Sequence, residues 1–153
     1  MRRWLFPLMI FCSVLLVTSA SAATGKVVKV LPHFLDLQGR HTKSPSLYDR
    51  DAYQAWLRRH PEQQSGIRYD VEWRAKGVQG ALQLRLELRG IAQGNLPRQK
   101  TIETEVNTGH GGTHWSGVAL QGDDFKAFGE VTAWRVTLWH GDQLLGEQKS
   151  FLW

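Results

Sequence analysis

From Gly66 onward the chain alternates apolar and polar residues. Ile67, Tyr69, Val71, Trp73 and Ala75 share one parity, and Arg68, Asp70, Glu72, Arg74 and Lys76 the other. A period of two is the mark of a strand with one buried and one wet face. After Gly77 to Gly80 the pattern resumes, with Leu82, Leu84, Leu86 and Leu88 set against Gln83, Arg85, Glu87 and Arg89. A symmetric closure of that turn makes the two runs a hairpin. It sets Glu72 opposite Arg85, a cross-strand pair worth about 0.2–1 kcal/mol. A second hairpin is expected from Glu130 to Trp153. There Trp134, Val136 and Leu138 alternate with Ala133, Arg135 and Thr137, and the turn falls at His140-Gly141-Asp142-Gln143. Glycine followed by aspartate tolerates the positive φ such a turn needs.

Shorter runs complete the set. Thr24 to Leu37 predicts a first strand, bent at Pro32 because proline cannot donate to a ladder. Thr101 to Val106 and Trp115 to Leu120 predict two more strands, and Gly122 to Gly129 a crossing connection into the final hairpin. One segment has helical spacing: Tyr48, Ala52, Ala55 and Trp56 fall on one face, behind a capping box at Ser46 and Asp49. Asp49 and Asp51 sit near the positive helix start and Arg58 and Arg59 near the negative end, and Pro61 ends the helix.

Seven strands at short intervals without strand–helix–strand alternation predict a mainly β chain, an antiparallel sandwich with one short helix inserted between the first two strands. The stretch Leu120-Gln121-Gly122-Asp123-Asp124-Phe125, followed by Val131-Thr132-Ala133-Trp134-Arg135-Val136, resembles the inter-sheet crossing and penultimate strand of immunoglobulin-like and fibronectin type III-like sandwiches, as in small exported bacterial proteins. The resemblance spans Ile67 to Trp153 and is architectural. Phe125 stands where such domains carry a corner tyrosine. It implies a binding or spacing role rather than catalysis, and it transfers no functional residue.

The first residues change the compartment. Met1-Arg2-Arg3, an apolar run from Trp4 to Val17 and the small residues Ala20-Ser21-Ala22 are the three parts of a secretory signal peptide. Residues 1–22 are therefore expected to be removed, leaving residues 23–153 as one β-sandwich domain in the periplasm or outside the cell. No membrane span is expected after cleavage. The chain's one cysteine, Cys12, goes with the signal, so packing alone holds the mature domain. The chain has 19 Lys and Arg against 14 Asp and Glu, a formal net charge of +5, and loss of Arg2 and Arg3 lowers that by two. A mild, evenly spread charge points away from nucleic acid and from anionic membranes.

Candidate chemistry is sparse. His110 and His114 flank Gly111 and Gly112, and two imidazoles in one loop are candidate ligands for Zn²⁺ or Cu²⁺. The glycines deny the pair a helix, and a metal needs a third ligand. Trp115, Trp139 and Trp153 are candidates for exposed ring surface, as a sugar-stacking platform or a protein-binding patch. The register of the last hairpin, which decides how Trp139 and Trp153 face, stays open. No nucleophile elbow, zinc-protease helix or phosphate-binding loop is present. The carboxylates Glu103, Glu105, Asp123 and Asp124 fit solvated positions. The expected function is an exported, non-catalytic interaction module without a cofactor, its partner a protein. Metal binding at His110 and His114, or a glycan on the tryptophans, is the alternative.

Overall fold

The computed structural model describes residues 22–109 and 112–153. All but the last residue of the expected signal peptide lies outside the described residues, as does His110.

In chain order the strands are β1 (Thr24–Asp36), β2 (Gln64–Lys76), β3 (Ala81–Ala92), β4 (Leu96–Asn107), β5 (His114–Gln121), β6 (Glu130–His140) and β7 (Gln143–Lys149). The helices are α1 (Leu47–Arg59), between β1 and β2, and α2 (Gly122–Phe128), between β5 and β6. The strands form two antiparallel sheets, in the orders β1-β2-β5 and β4-β3-β6-β7. The inner residues of both sheets belong to one core: Tyr69, Val71 and Trp73 from β2, Leu82 to Leu88 on alternate positions of β3, Val118 and Leu120 from β5, Val136 and Leu138 from β6. Burying each of these leucines contributes about 1.5–3 kcal/mol. No helix of the described residues is long and apolar enough to cross a membrane.

The alternation in β2 and β3 buries the expected faces, but the two strands do not pair. The segment from Gly77 to Gly80 crosses from one sheet to the other, so Glu72 lies opposite Lys29 and Trp115. Arg85 instead donates to Glu103 Oε1 at 2.7 Å, across the β3–β4 ladder. Alternation dictates which face of a strand is buried and is silent about its neighbour. The chain breaks of β1 also fall elsewhere than at Pro32, which sits in register opposite Tyr69. The register shifts lie between Val27 and Lys29 and between Leu35 and Asp36. As an edge strand, β1 tolerates a missing donor. The same tolerance lets β4 begin at Leu96 and run through Pro97, ahead of the expected start at Thr101.

Among the described residues two α-helices are present where the sequence predicts one. Gly122–Phe128 is expected as a plain crossing connection and is instead α2, with Asp123 and Asp124 in its first turn beside the positive end of its dipole. Gly129 ends it with φ +82°, its N–H donating to the Phe125 carbonyl at 3.3 Å. In α1 the Ser46 hydroxyl accepts from Asp49 N at 3.4 Å, as the capping box predicts. The reciprocal bond is absent, because Ser46 N donates to Ser44 Oγ. The buried face also differs. Gln54 and Leu57 are the buried residues of α1, while Tyr48 is 82% exposed.

Gln54 explains that choice. Its Oε1 accepts from Phe34 N at 2.8 Å and its Nε2 donates to Phe34 O at 2.9 Å and to His41 O at 2.8 Å. The side-chain amide takes the place of a neighbouring strand on the free edge of β1. A helix selected by that bond must turn a polar residue inward, against its apolar periodicity.

Gly129 is the position least able to take a side chain. Its φ lies in the left-handed region, and a Cβ there would stand 2.3 Å from the Ile91 carbonyl oxygen. Gly129→Ala is expected to lower unfolding stability by at least about 1–3 kcal/mol, measured by urea denaturation. An unchanged midpoint would mean that the α2–β6 junction can relax freely.

Candidate binding cleft

β6 has 11 residues and β7 has 7, and this inequality opens the molecule. β7 pairs with Arg135 to His140 of β6. One more rung follows, in which Ser150 N donates to Trp134 O at 2.9 Å and Trp134 N donates to Ser150 Oγ at 3.0 Å. Beyond it the chain turns away, and Glu130, Val131 and Ala133 pair with β3 alone, with Thr132 bulged between them.

The uncovered space is a cleft of about 1040 Å³ that opens between the two sheets. β1 contributes Pro32 and Phe34, β2 Ile67 and Tyr69, β6 Val131 and Trp134, and α2 Phe125. These walls are apolar because they are the inner positions of strands that elsewhere bury the core. The rim is mixed, with Arg58 and Glu62 at the end of α1 and just beyond, and Lys126 and Glu130 beside α2. Among the described residues none of these four takes part in an ion pair.

Tyr69 is the unusual member. Its side chain is fully buried, its ring meets Trp134 edge-on at 6.0 Å between centroids, and its hydroxyl has no hydrogen-bond partner. Burial pushes the phenol's pKa far above its ordinary value of 10.0, so it stays a neutral donor. A buried hydroxyl without a partner costs about 1–3 kcal/mol. The other buried polar groups differ. Asp36 accepts from Gln38 N, from Arg40 N and Nε, and from the Tyr53 hydroxyl at 2.7 Å. Burial opposes its ionisation, but these bonds outweigh it and hold the carboxyl below its usual 3.8. His33 Nε2 lies 3.7 Å from Asp70 Oδ2, which pulls the imidazole's pKa upward. Burial, with His41, Arg50 and Arg68, outweighs that pull, and the pKa falls below 6.5. His33 is therefore neutral at pH 7, and the carboxylate of Asp70 is paired to Arg68 Nε at 2.7 Å. Neither His33 nor Asp70 lines the cleft.

Of the residues singled out from sequence, those that the structure describes lie elsewhere and apart. His110 is outside the described residues. His114 packs on the buried Trp73 ring at 4.8 Å, and no group of three or more metal-ligating side chains occurs among the described residues. Trp115 is 53% exposed on the outer face of the β1-β2-β5 sheet. Trp139 and Trp153 lie on the outer side of the other sheet, each covered by arginine. Arg85 stands 5.0 Å above Trp139, and Arg89 and Arg135 lie 4.0 and 4.8 Å from Trp153. The three rings share no platform. The cleft residues escaped sequence reasoning because Tyr69, Phe34 and Trp134 look like core positions. The unequal lengths of β6 and β7 emerge only from the structure.

The chain matches no protein-family model, no curated protein and no solved structure.

Two outcomes are expected. Tyr69→Phe removes an orphaned donor and no bond, so its thermal midpoint should equal or exceed the parent's, and a clear loss would reveal a partner for the hydroxyl. On acidification, stability tied to His33 is fully present above pH 6.5 and is lost below it, where the unfolded chain takes up the proton first. The Asp36 contribution is lost in the same direction, starting below pH 3.8. Thermal midpoints from pH 8 to 3 should fall in two stages, and His33→Asn should remove the first.

Proposed function

We propose that this chain is an exported, non-catalytic binding module of immunoglobulin-like sandwich architecture, with the inter-sheet cleft as its site. The sheet orders support the architecture, since β5 returns beside β2 while β3 and β6 stand together in the opposite sheet. The observation that carries the site is the set of half-buried apolar side chains, Phe34, Phe125, Val131 and Trp134, that stay uncovered along a cleft with a polar rim. Behind them the fully buried Tyr69 hydroxyl has no partner, so the fold keeps one donor at a cost beside the cleft.

Export rests on the charged, apolar and small-residue segments of the N-terminus. The reading of the site rests on wall chemistry alone. Apolar walls hold the body of a ligand, and the few polar groups at the inner end and the rim orient it. Water leaving those walls supplies about 25 cal/mol per Å² of apolar surface covered.

The test uses bis-ANS, an apolar dye whose fluorescence rises when it leaves water. Saturable binding by the folded protein is expected. Val131→Asp, which puts a carboxylate into a half-buried wall position, should weaken it at least about tenfold. Equal binding by a Val131→Asp protein with an unchanged melting curve would remove the cleft from consideration.

A further inference from the structure

The cleft is bordered by two strand edges, and only one of them is open. On β1 the outward backbone groups of Phe34 are taken by the Gln54 amide, and Pro32 has no N–H to offer. On β6, Glu130 to Ala133 have β3 on one side and, among the described residues, no strand on the other. Even the last rung with the C-terminal segment is made half by a side chain, the Ser150 hydroxyl. The vacant place has the chemistry of a missing strand. Along one side Glu130, Val131 and Ala133 have no partner strand among the described residues, and apolar side chains line the hollow beneath.

We propose that the cleft receives an extended peptide segment of another protein, which adds to β6 in the line that β7 leaves and sets alternate apolar side chains against the half-buried Phe34, Phe125 and Trp134. This rests on the cleft being the binding site. Strand addition takes its affinity from main-chain bonds and its specificity from pockets that accept every second side chain. A compact small molecule fills the apolar floor and leaves the β6 edge unpaired. The rim charge narrows the occupant further. One cation and one anion stand at each end, Arg58 with Glu62 and Lys126 with Glu130, none of them in an ion pair among the described residues. Such a rim is neutral overall and matches a segment of low net charge rather than a polyanion or an anionic lipid surface. The free edge from Glu130 to Ala133, with Thr132 bulged, spans at most about 13 Å of strand, short enough for a linear motif.

The probe is a capped heptapeptide alternating Thr and Val with Leu at its centre, titrated against residues 23–153 by fluorescence and thermal shift. Two further peptides carry N-methyl groups on alternate residues, one set on each edge of the strand. The parent peptide should bind and displace bis-ANS. One N-methylated peptide should match it, and the other should bind at least about tenfold more weakly, since its donors face β6. Equal binding of all three would overturn strand addition and leave the cleft as the binding site. Dye binding without any peptide binding would do the same. A concentration-dependent dimer that the dye dissolves would assign the cleft to a second copy of this chain and overturn the proposal. Failure of both dye and peptide would remove the site itself.

Discussion

Trp153 is held between the guanidinium groups of Arg89 and Arg135, at 4.0 and 4.8 Å, and that clamp decides where the last strand stops. The two arginines stand on adjacent strands, β3 and β6, on the outer side of the four-stranded sheet. To reach them the chain must leave β6 after Ser150 and turn, a turn closed by Trp153 N donating to Ser150 O at 3.2 Å. The contacts are worth about 0.5–1 kcal/mol each where exposed. They compete with continued pairing along β6, which would bury Trp134 and Val131 more deeply. With Trp153 on the outer face, the segment after Ser150 leaves the cleft uncovered. Glu87 locks the same region by a two-point bond to Arg135, at 2.7 and 2.9 Å, which lowers the pKa of its carboxyl.

Much of this fold was legible in the sequence, and the failures have a common cause. Alternation located β2, β3 and the final hairpin, because a period of two follows from one buried face whatever the neighbouring strand is. It placed the turn at Gly141-Asp142, and Gly141 does adopt φ +54°. It could not say that β2 and β3 lie in different sheets, since Glu72 and Arg85 form an equally good pair on paper. It also ran the last strand on to Trp153, where β7 ends at Lys149. The signals for α2 were on the page: acids at the start, Phe125 and Phe128 one turn apart, Gly129 at the end. A helix of seven residues offers too few turns for periodicity to declare itself. In α1 the inward residue is Gln54, chosen by backbone groups of β1 that lie 20 residues away along the chain.

The candidate site was less legible than the fold because it consists of core residues left uncovered. Nothing in the sequence around Tyr69 distinguishes it from Val71 two places on. Both are fully buried. What separates them is the absence of a strand segment opposite, a property of β7's length and of no residue in the cleft. The facing of Trp139 and Trp153, which the hairpin register left open in the sequence, is outward, and the arginines of the same face lie over both rings, with Trp139 Nε1 donating to Thr137 Oγ1 at 2.8 Å.

The two edges of the cleft show how one constraint is met in two ways. A free strand edge invites unwanted pairing, and proteins close such edges with side chains, prolines or covering elements. β1 uses all three: the Gln54 amide, Pro32 and the body of α1. β6, an interior strand over most of its length, becomes an edge only where β7 has left it, and there no comparable cover stands among the described residues. Had the chain gained nothing from an open edge, the closing device of β1 shows what this fold has at hand to seal it. An edge left open above an apolar floor, facing one that is closed, gives an incoming strand a single place to pair.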